Sequence, residues 1–234
     1  MARRQSILFG RPNDRRGSDW TFPRTYRANK ELENQIKPTQ LRVKIVDLGP
    51  NDEKTIQVAQ ILIDAFAHMD YVRTIEAAVA EVRESFADKR ISRVALDENG
   101  DAVGWIGGIE QYDGTVYELH PLAVKPSAQR RGIGTALVKD FEAQVKQRGA
   151  LTITLGTDDD FGGTSLFGVD VYPNVLEQLS SIRNRNHHPY EFYLKCGYSL
   201  VGLVPDANGF GKPDILMAKR VGKYDRTRST ADER

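Results

Sequence analysis

Pro121 sits inside an otherwise β-forming run, Tyr117-Glu118-Leu119-His120-Pro121-Leu122-Ala123-Val124, and no other feature restricts the fold as much. Proline has no N–H to give to a sheet ladder. The strand that contains it must therefore bulge, or lie unpaired on one side, near His120 and Pro121. An edge released in this way is open to a ligand. Immediately downstream, Gln129, Gly132 and Gly134 stand in the spacing Q-x-x-G-x-G, after which Ile133, Leu137, Phe141 and Val145 mark one helical face. Such a helix start presents N–H groups without acceptors and attracts phosphate, and glycine lets the oxygens approach with no Cβ in the way. An ordinary tight turn would use the same residues.

Before this segment, Leu41, Val43 and Ile45 alternate as a first strand, and Ile56, Ala59, Ile63 and Phe66 fall on one face of a helix. A second helix carries the stripe Ile75, Val79, Val82 and Phe86, with Glu81, Arg83 and Glu84 on its other side. Two β runs follow, about 90–97 and 102–111, joined through Glu98-Asn99-Gly100-Asp101, whose Asn-Gly pair favours a hairpin. The proline-bearing strand comes next, so an antiparallel meander precedes the long helix over about 131–148, which Gly149 stops. Leu151, Ile153 and Leu155 then alternate with threonines in a strand that a helical crossover sets parallel to the proline-bearing one. The string reads βααββββαβ, a single domain of mixed α/β (α+β) class without internal repeat.

The second half is less regular. Gly156 to Asp170 form a loop rich in glycine and acid, leading into a helix at about 174–183. Asp158, Asp159 and Asp160 are adjacent, and no glutamate follows where a calcium loop needs one, so no metal is expected. They read as solvated acids, or as a patch for a polyamine. A short helix starts near Pro189 and ends at Gly197, with Phe192 and Tyr193 one turn before the stop. His187 and His188 lack the i, i+4 spacing of a metal pair, and His188 simply leads into that helix. Two strands, 198–204 and 213–219, close the chain on either side of a turn from Asp206 to Lys212.

Composition narrows the function classes. No apolar run approaches the roughly 20 residues of a membrane span, and no secretory-type apolar stretch follows Met1. The single Cys196 cannot form an intrachain disulfide, and a cytoplasmic protein is expected. Net charge is +1, yet residues 1–40 carry nine Lys or Arg against four acids and 219–234 carry six against three, leaving −7 for the body between them. An acidic body favours cationic partners in its clefts and argues against nucleic acid, although acids also serve as plain solubilising surface. Residues 1–40 lack sustained apolar periodicity and read as a basic, disordered extension, and 222–234 as a charged tail.

The stretch from the bulged strand through Gln129 to Gly134 resembles the acyl-CoA-binding motif of the GCN5-related N-acetyltransferases, the GNAT superfamily. The resemblance implies a mixed central sheet with one splayed, bulged strand flanked by helices, in a domain spanning 41–221. It also implies acetyl-CoA as co-substrate, with its pyrophosphate on the loop and its pantetheine arm along the splayed strand. The residues so implied are Leu122, Ala123, Val124, Gln129, Arg130, Arg131, Gly132, Ile133, Gly134, Thr135 and Tyr193. In that family a tyrosine four residues before the helix-stopping glycine faces the CoA sulfur, and Tyr193 holds this place. Four blocks, 117–122, 155–159, 188–193 and 208–214, further resemble the bacterial aminoglycoside 6'-N-acetyltransferases, which implies a cationic aminoglycoside acceptor, no membrane or nucleic-acid partner, and a homodimer.

Acetyl transfer from a thioester needs a neutral amine, a polarised carbonyl and a proton for the departing thiolate. A primary amine is mostly protonated near pH 7, so some group must take a proton. Glu118 and His120, two apart on a strand, share a face. Given the resemblance, Glu118 is favoured as base or amine anchor and His120 comes second; from residue type alone, a turn-capping carboxylate and a structural histidine serve as well. The Leu122 N–H is the expected donor to the thioester oxygen, and Tyr193 the group that protonates or hydrogen-bonds the thiolate, a core tyrosine with a satisfied O–H being the alternative. Asp158, Asp159 and Asp170 complete the acceptor site. Cys196 has no base beside it and reads as packed and inert, which excludes an acetyl-enzyme. Two rival functions stand beside this one: acetylation of another polyamine or protein amine, and CoA binding without turnover.

Overall fold

The Asn99-Gly100 turn forms as its residues demand. Gly100 takes φ 81, and the Asp97 carboxylate collects the N–H groups of Asn99 and Asp101 at 2.9 and 3.0 Å, so β2 (Ile91–Leu96) returns antiparallel as β3 (Ala102–Gln111). The computed structural model describes residues 42–50, 53–67 and 74–223. Leu41, the extension 1–40 and the tail from 224 onward lie outside them.

The other elements are β1 (Lys44–Asp47), α1 (Lys54–Ala65), α2 (Ile75–Glu84), β4 (Val116–Val124), α3 (Ile133–Gln147), β5 (Thr152–Asp158), α4 (Val175–Ser180), α5 (Tyr190–Lys195), β6 (Ser199–Val204) and β7 (Asp214–Arg220). The expected order βααββββαβ has one strand too many. Between α2 and α3 the chain makes three strands, the three runs that the residues themselves mark, so the fourth in that string is a miscount.

Seven strands form one mixed sheet in the order β1-β2-β3-β4-β5-β7-β6. Only β4 and β5 pair in parallel, through the α3 crossover. Two apolar clusters cover the two faces. Leu137, Phe141 and Val145 of α3 pack with Ile106, Ile153, Ile215 and Met217, whereas Val58 and Leu62 of α1 and Val82 of α2 pack with Val94 and Trp105. Covered on both sides, β2 and most of β3 are buried residue after residue rather than alternately, and in β2 this includes Ser92 and Arg93.

The face expected for α1 is corrected. Ile56 is 64% exposed, and the buried residues are Val58, Ala59, Ile61 and Leu62. This helix has apolar residues at seven positions, which fit more than one stripe, and contact with both α2 and the sheet selects the one through Val58 and Leu62. Arg93 of β2 is also buried, and it ties three elements together. It grips Asp140 of α3 through Nε and Nη2 at 2.7 and 3.0 Å, and Asp47 of β1 through Nη1 at 2.6 Å, a paired arrangement that makes burial of the charge tolerable. Among the described residues no helix is long and apolar enough to cross a membrane.

Candidate active site

Pro121 bulges β4 where its missing N–H predicts. In the β3–β4 ladder Ile106 faces Leu122 and Gly108 faces Leu119, so Gly107 alone stands opposite His120 and Pro121. A side chain at Gly107 would collide with the His120 carbonyl, so glycine is required at this close approach. The extra residue exchanges the faces of the strand. Tyr117 and Leu119 before it, and Leu122 and Val124 after it, all turn to the α3 side, and Ala123 turns to the α1–α2 side.

Beyond the bulge the sheet opens. β4 pairs with β5 only over Val116–Thr152, Tyr117–Ile153 and Glu118–Thr154, while β5 runs on to Asp158 alongside β7. The two strands thus diverge as a wedge from Leu119 onward.

The top of the wedge leads into the Gln129–Gly134 loop. Arg130 and Gly132 take φ 58 and 87, and Gln129 is fixed by its Nε2 donating to the Val124 carbonyl at 3.1 Å. No side chain caps α3. Its first backbone bond runs from Ala136 N–H to the Gly132 carbonyl at 3.0 Å, leaving the N–H groups of Ile133, Gly134 and Thr135 with no acceptor in the helix. Together with exposed Arg130 and half-buried Arg131, this end fits a pyrophosphate. The side chain of Ile133 is core, 2% exposed, so its share in such binding is its N–H.

Glu118, His120 and Leu122 are half-buried on β4, as are Val116 and Val124 at its ends. Gln111 Nε2 donates to Glu118 Oε2. His120 Nε2 lies 3.5 Å from Glu81 Oε1 of α2, and this bond outweighs burial and holds the imidazole protonated above its ordinary range, with Glu118 adding to the effect.

The three consecutive acids have three different places. Asp158 is half-buried and accepts from Asn208 Nδ2 at 2.5 Å. Asp159, expected as a solvated acid and an acceptor-site residue, has 0% exposure. Its Oδ1 accepts from Gly163 N–H at 2.7 Å, and its Oδ2 from Thr164 N–H and Oγ1 at 2.8 and 2.6 Å. It is a loop scaffold, because these donors follow four and five residues later and need an acceptor once buried. Oδ1 of Asp160 is buried without a hydrogen-bond partner among the described residues. Asp170 is exposed and accepts Tyr172 N–H at 3.1 Å.

Sequence reasoning gave no role to Asp214. The β5–β7 register sets it opposite Asp158, and its carboxylate fills the space over Gly156 that a Cβ would otherwise occupy. Burial first, then the charges of Asp158 and Glu118, push its carboxyl up to about 6, and its Oδ1 is buried without a partner among the described residues. Asp158 and Asp214 thus pair across β5 and β7, and Glu118 of β4, level with Thr154 in register, adds its charge to the same acidic row. The signal was the Gly156-x-Asp158 pattern facing Asp214, legible only once the register is known.

Tyr193 is 8% exposed and shares a cluster with Leu122 and Val124. Its ring meets Phe192 and Tyr198 edge-on at 5.1 and 5.7 Å. Burial pushes its hydroxyl far above the ordinary phenol range, so it keeps its proton. Cys196, half-buried beside it, is also pushed up, mainly by burial, which suits an unreactive thiol. His188 is neutral, its pKa lowered by burial; Nδ1 accepts Tyr190 N–H at 3.2 Å and Nε2 bonds the Asp158 carbonyl at 3.1 Å, so it holds α5 to the acidic strand end. A cleft of about 220 Å³ lined by Asp47, Ser85, Arg90 and Arg148 contains none of these groups and lies at the opposite end of α3.

Residues 57–164 match the model of the acetyltransferase (GNAT) family. Solved structures similar to the chain include an aminoglycoside 6'-N-acetyltransferase complexed with coenzyme A, at 40% identity and TM-score 0.72. Another, the aminoglycoside 6'-N-acetyltransferase from Enterococcus faecium, has 39% identity and TM-score 0.71, and an aminoglycoside 6'-acetyltransferase type Ii has 36% and 0.60. Each comparison covers 78% of this chain and 99% of the other. No curated protein matches the chain in sequence.

Proposed function

The chain belongs to the GNAT family of N-acetyltransferases, and from that premise we propose that it acetylates the 6'-amine of aminoglycosides by direct transfer from acetyl-CoA, both substrates being bound at once. The observation that carries the reading is the meeting of the β4–β5 wedge with the acidic row of Glu118, Asp158 and Asp214, which suits a polycationic acceptor beside a chain-shaped donor. Bound acetyl-CoA supplies the acyl group as an activated thioester.

The protein's own groups supply the rest. The loop N–H groups and Arg130 and Arg131 hold the pyrophosphate. Asp158 and Asp214 attract ammonium groups of the acceptor, and Glu118 takes the proton that the amine must lose. The Leu122 N–H, just past the bulge, donates to the acyl oxygen, a contact typically worth about 3 kcal/mol at the transition state. Tyr193, whose buried hydroxyl keeps its proton, donates a hydrogen bond to the departing sulfur, which stabilises the thiolate as it leaves. The same acidic row would also suit a linear polyamine, so the acceptor is tested directly. CoA release is measured with aminoglycosides bearing a 6'-amine or a 6'-hydroxyl, with spermidine and with N-terminal peptides. Turnover with the 6'-amines and none with the 6'-hydroxyls is expected. Preference for spermidine or a peptide would replace the acceptor, and no release with any amine would leave a CoA-binding protein without turnover.

A further inference from the structure

A helix of six residues such as α5 does not hold its own place, so the position of Tyr193 depends on what grips it from outside. Three contacts join α5 to α3, the helix whose first turn forms the anion loop. Phe192 Cζ would lie 3.3 Å from a Cβ at Gly134, so ring and helix start are in close packing. The Thr135 side chain bonds Cys196. The third contact is ionic and comes from β7: Lys219 Nζ donates to both oxygens of Glu142 at 2.8 Å and to the Cys196 carbonyl at 2.7 Å. Three donors thus meet three acceptors. The ammonium also lies 5.6 Å from the Tyr198 ring, which packs edge-on against Tyr193. Gly197, at φ 87, ends α5 beside this ammonium.

We propose that Lys219 is a positioning residue for acyl transfer: it ties the last turn of α5 to Glu142 of α3 and so fixes Tyr193 relative to the loop that holds the acyl donor. The proposal rests on the role given to Tyr193 above. Bonds to an ion are the strong ones, and Lys219 and Glu142 are 25% and 18% exposed, so water replaces them poorly.

Lys219→Met keeps the stem and removes the ammonium. Its single-turnover rate should fall roughly tenfold through misplacement of Tyr193, while KM for acetyl-CoA stays within about twofold, because the loop is untouched. Added to Tyr193→Phe it should lower the rate no further, since a displaced phenylalanine has no hydroxyl to offer the sulfur. If Lys219→Met does not fold, as judged by its melting curve, Glu142→Gln carries the same test. A folded variant with the parent single-turnover rate overturns the proposal and leaves Tyr193 its role. Losses that multiply in the double variant also overturn it, by showing that Lys219 acts elsewhere. A Tyr193→Phe enzyme with the parent rate removes the tyrosine's role itself.

Discussion

Asp159→Asn tests whether the middle acid of the loop is scaffold or binding group. Two of its three acceptor bonds come from backbone N–H groups that cannot turn elsewhere, those of Gly163 and Thr164. The third comes from the Thr164 hydroxyl, which itself accepts Leu166 N–H at 3.1 Å. An asparagine satisfies at most one side of this arrangement. With its oxygen toward Thr164, its NH₂ faces the Gly163 N–H, donor against donor, in a place that water does not reach. Losing a hydrogen bond to an ion costs about 1.5–3 kcal/mol, and a stranded buried N–H adds to that, so about 3 kcal/mol is expected. For a chain of this size the melting temperature should drop by roughly 6–12 °C. Calorimetric melting measures it, with acceptor KM taken well below the transition. The scaffold account requires a large drop in melting temperature with KM nearly unchanged. A variant melting with the parent protein while acceptor KM rises would refute it and return Asp159 to the substrate site.

Glu118→Gln should raise KM for the cationic acceptor and flatten the acidic limb of the single-turnover pH profile, since the group that must be ionised is gone; an unchanged limb would give the proton to another acceptor. The raised carboxyl of Asp214, about 6 against an ordinary 3.8, has two measurable effects. It binds cations only when ionised, so acceptor KM should climb as pH falls through 6 in the parent protein, without that inflection in Asp214→Asn. The folded state also prefers the protonated form, so stability is complete below pH 3.8 and is lost as pH rises through 6. Asp214→Asn should therefore melt higher than the parent at pH 8 and equally at pH 4, and equal melting at both would contradict the burial. Gly132→Val should weaken acetyl-CoA binding in calorimetry while the fold survives, because φ 87 and a bulky side chain conflict at the loop; undiminished affinity in a folded protein would remove the loop's role.

Most of the frame was legible in the residues. Pro121 announced the bulge, Asn99-Gly100 the hairpin, and the threonine alternation after Gly149 the parallel strand, because each rests on a local backbone constraint. Features set by long-range register were not. Asp158, Asp159 and Asp160 look alike in a string, and only the return of Gly163 and Thr164 decides which is buried. The partner of His120, Glu81, lies on another layer, and Asp214 gains its neighbours only when β7 pairs with β5. In α1, an excess of apolar residues hid the true face, since periodicity cannot rank two stripes that both fit.

Three residue pairs are all the ladder that stitches a four-stranded leaf, β1 to β4, to a three-stranded one, β5, β7 and β6. Mechanically this is a book with a short spine. What keeps it shut is the pad of α3 side chains pressed against both leaves, Phe141 and Val145 touching a cluster that reaches from Ile106 to Ile215 and Met217. Such a pad is non-directional and loses strength in the cold, unlike hydrogen-bonded stitching. The toughness of the molecule therefore resides in grease at the one place where its backbone was left unsewn.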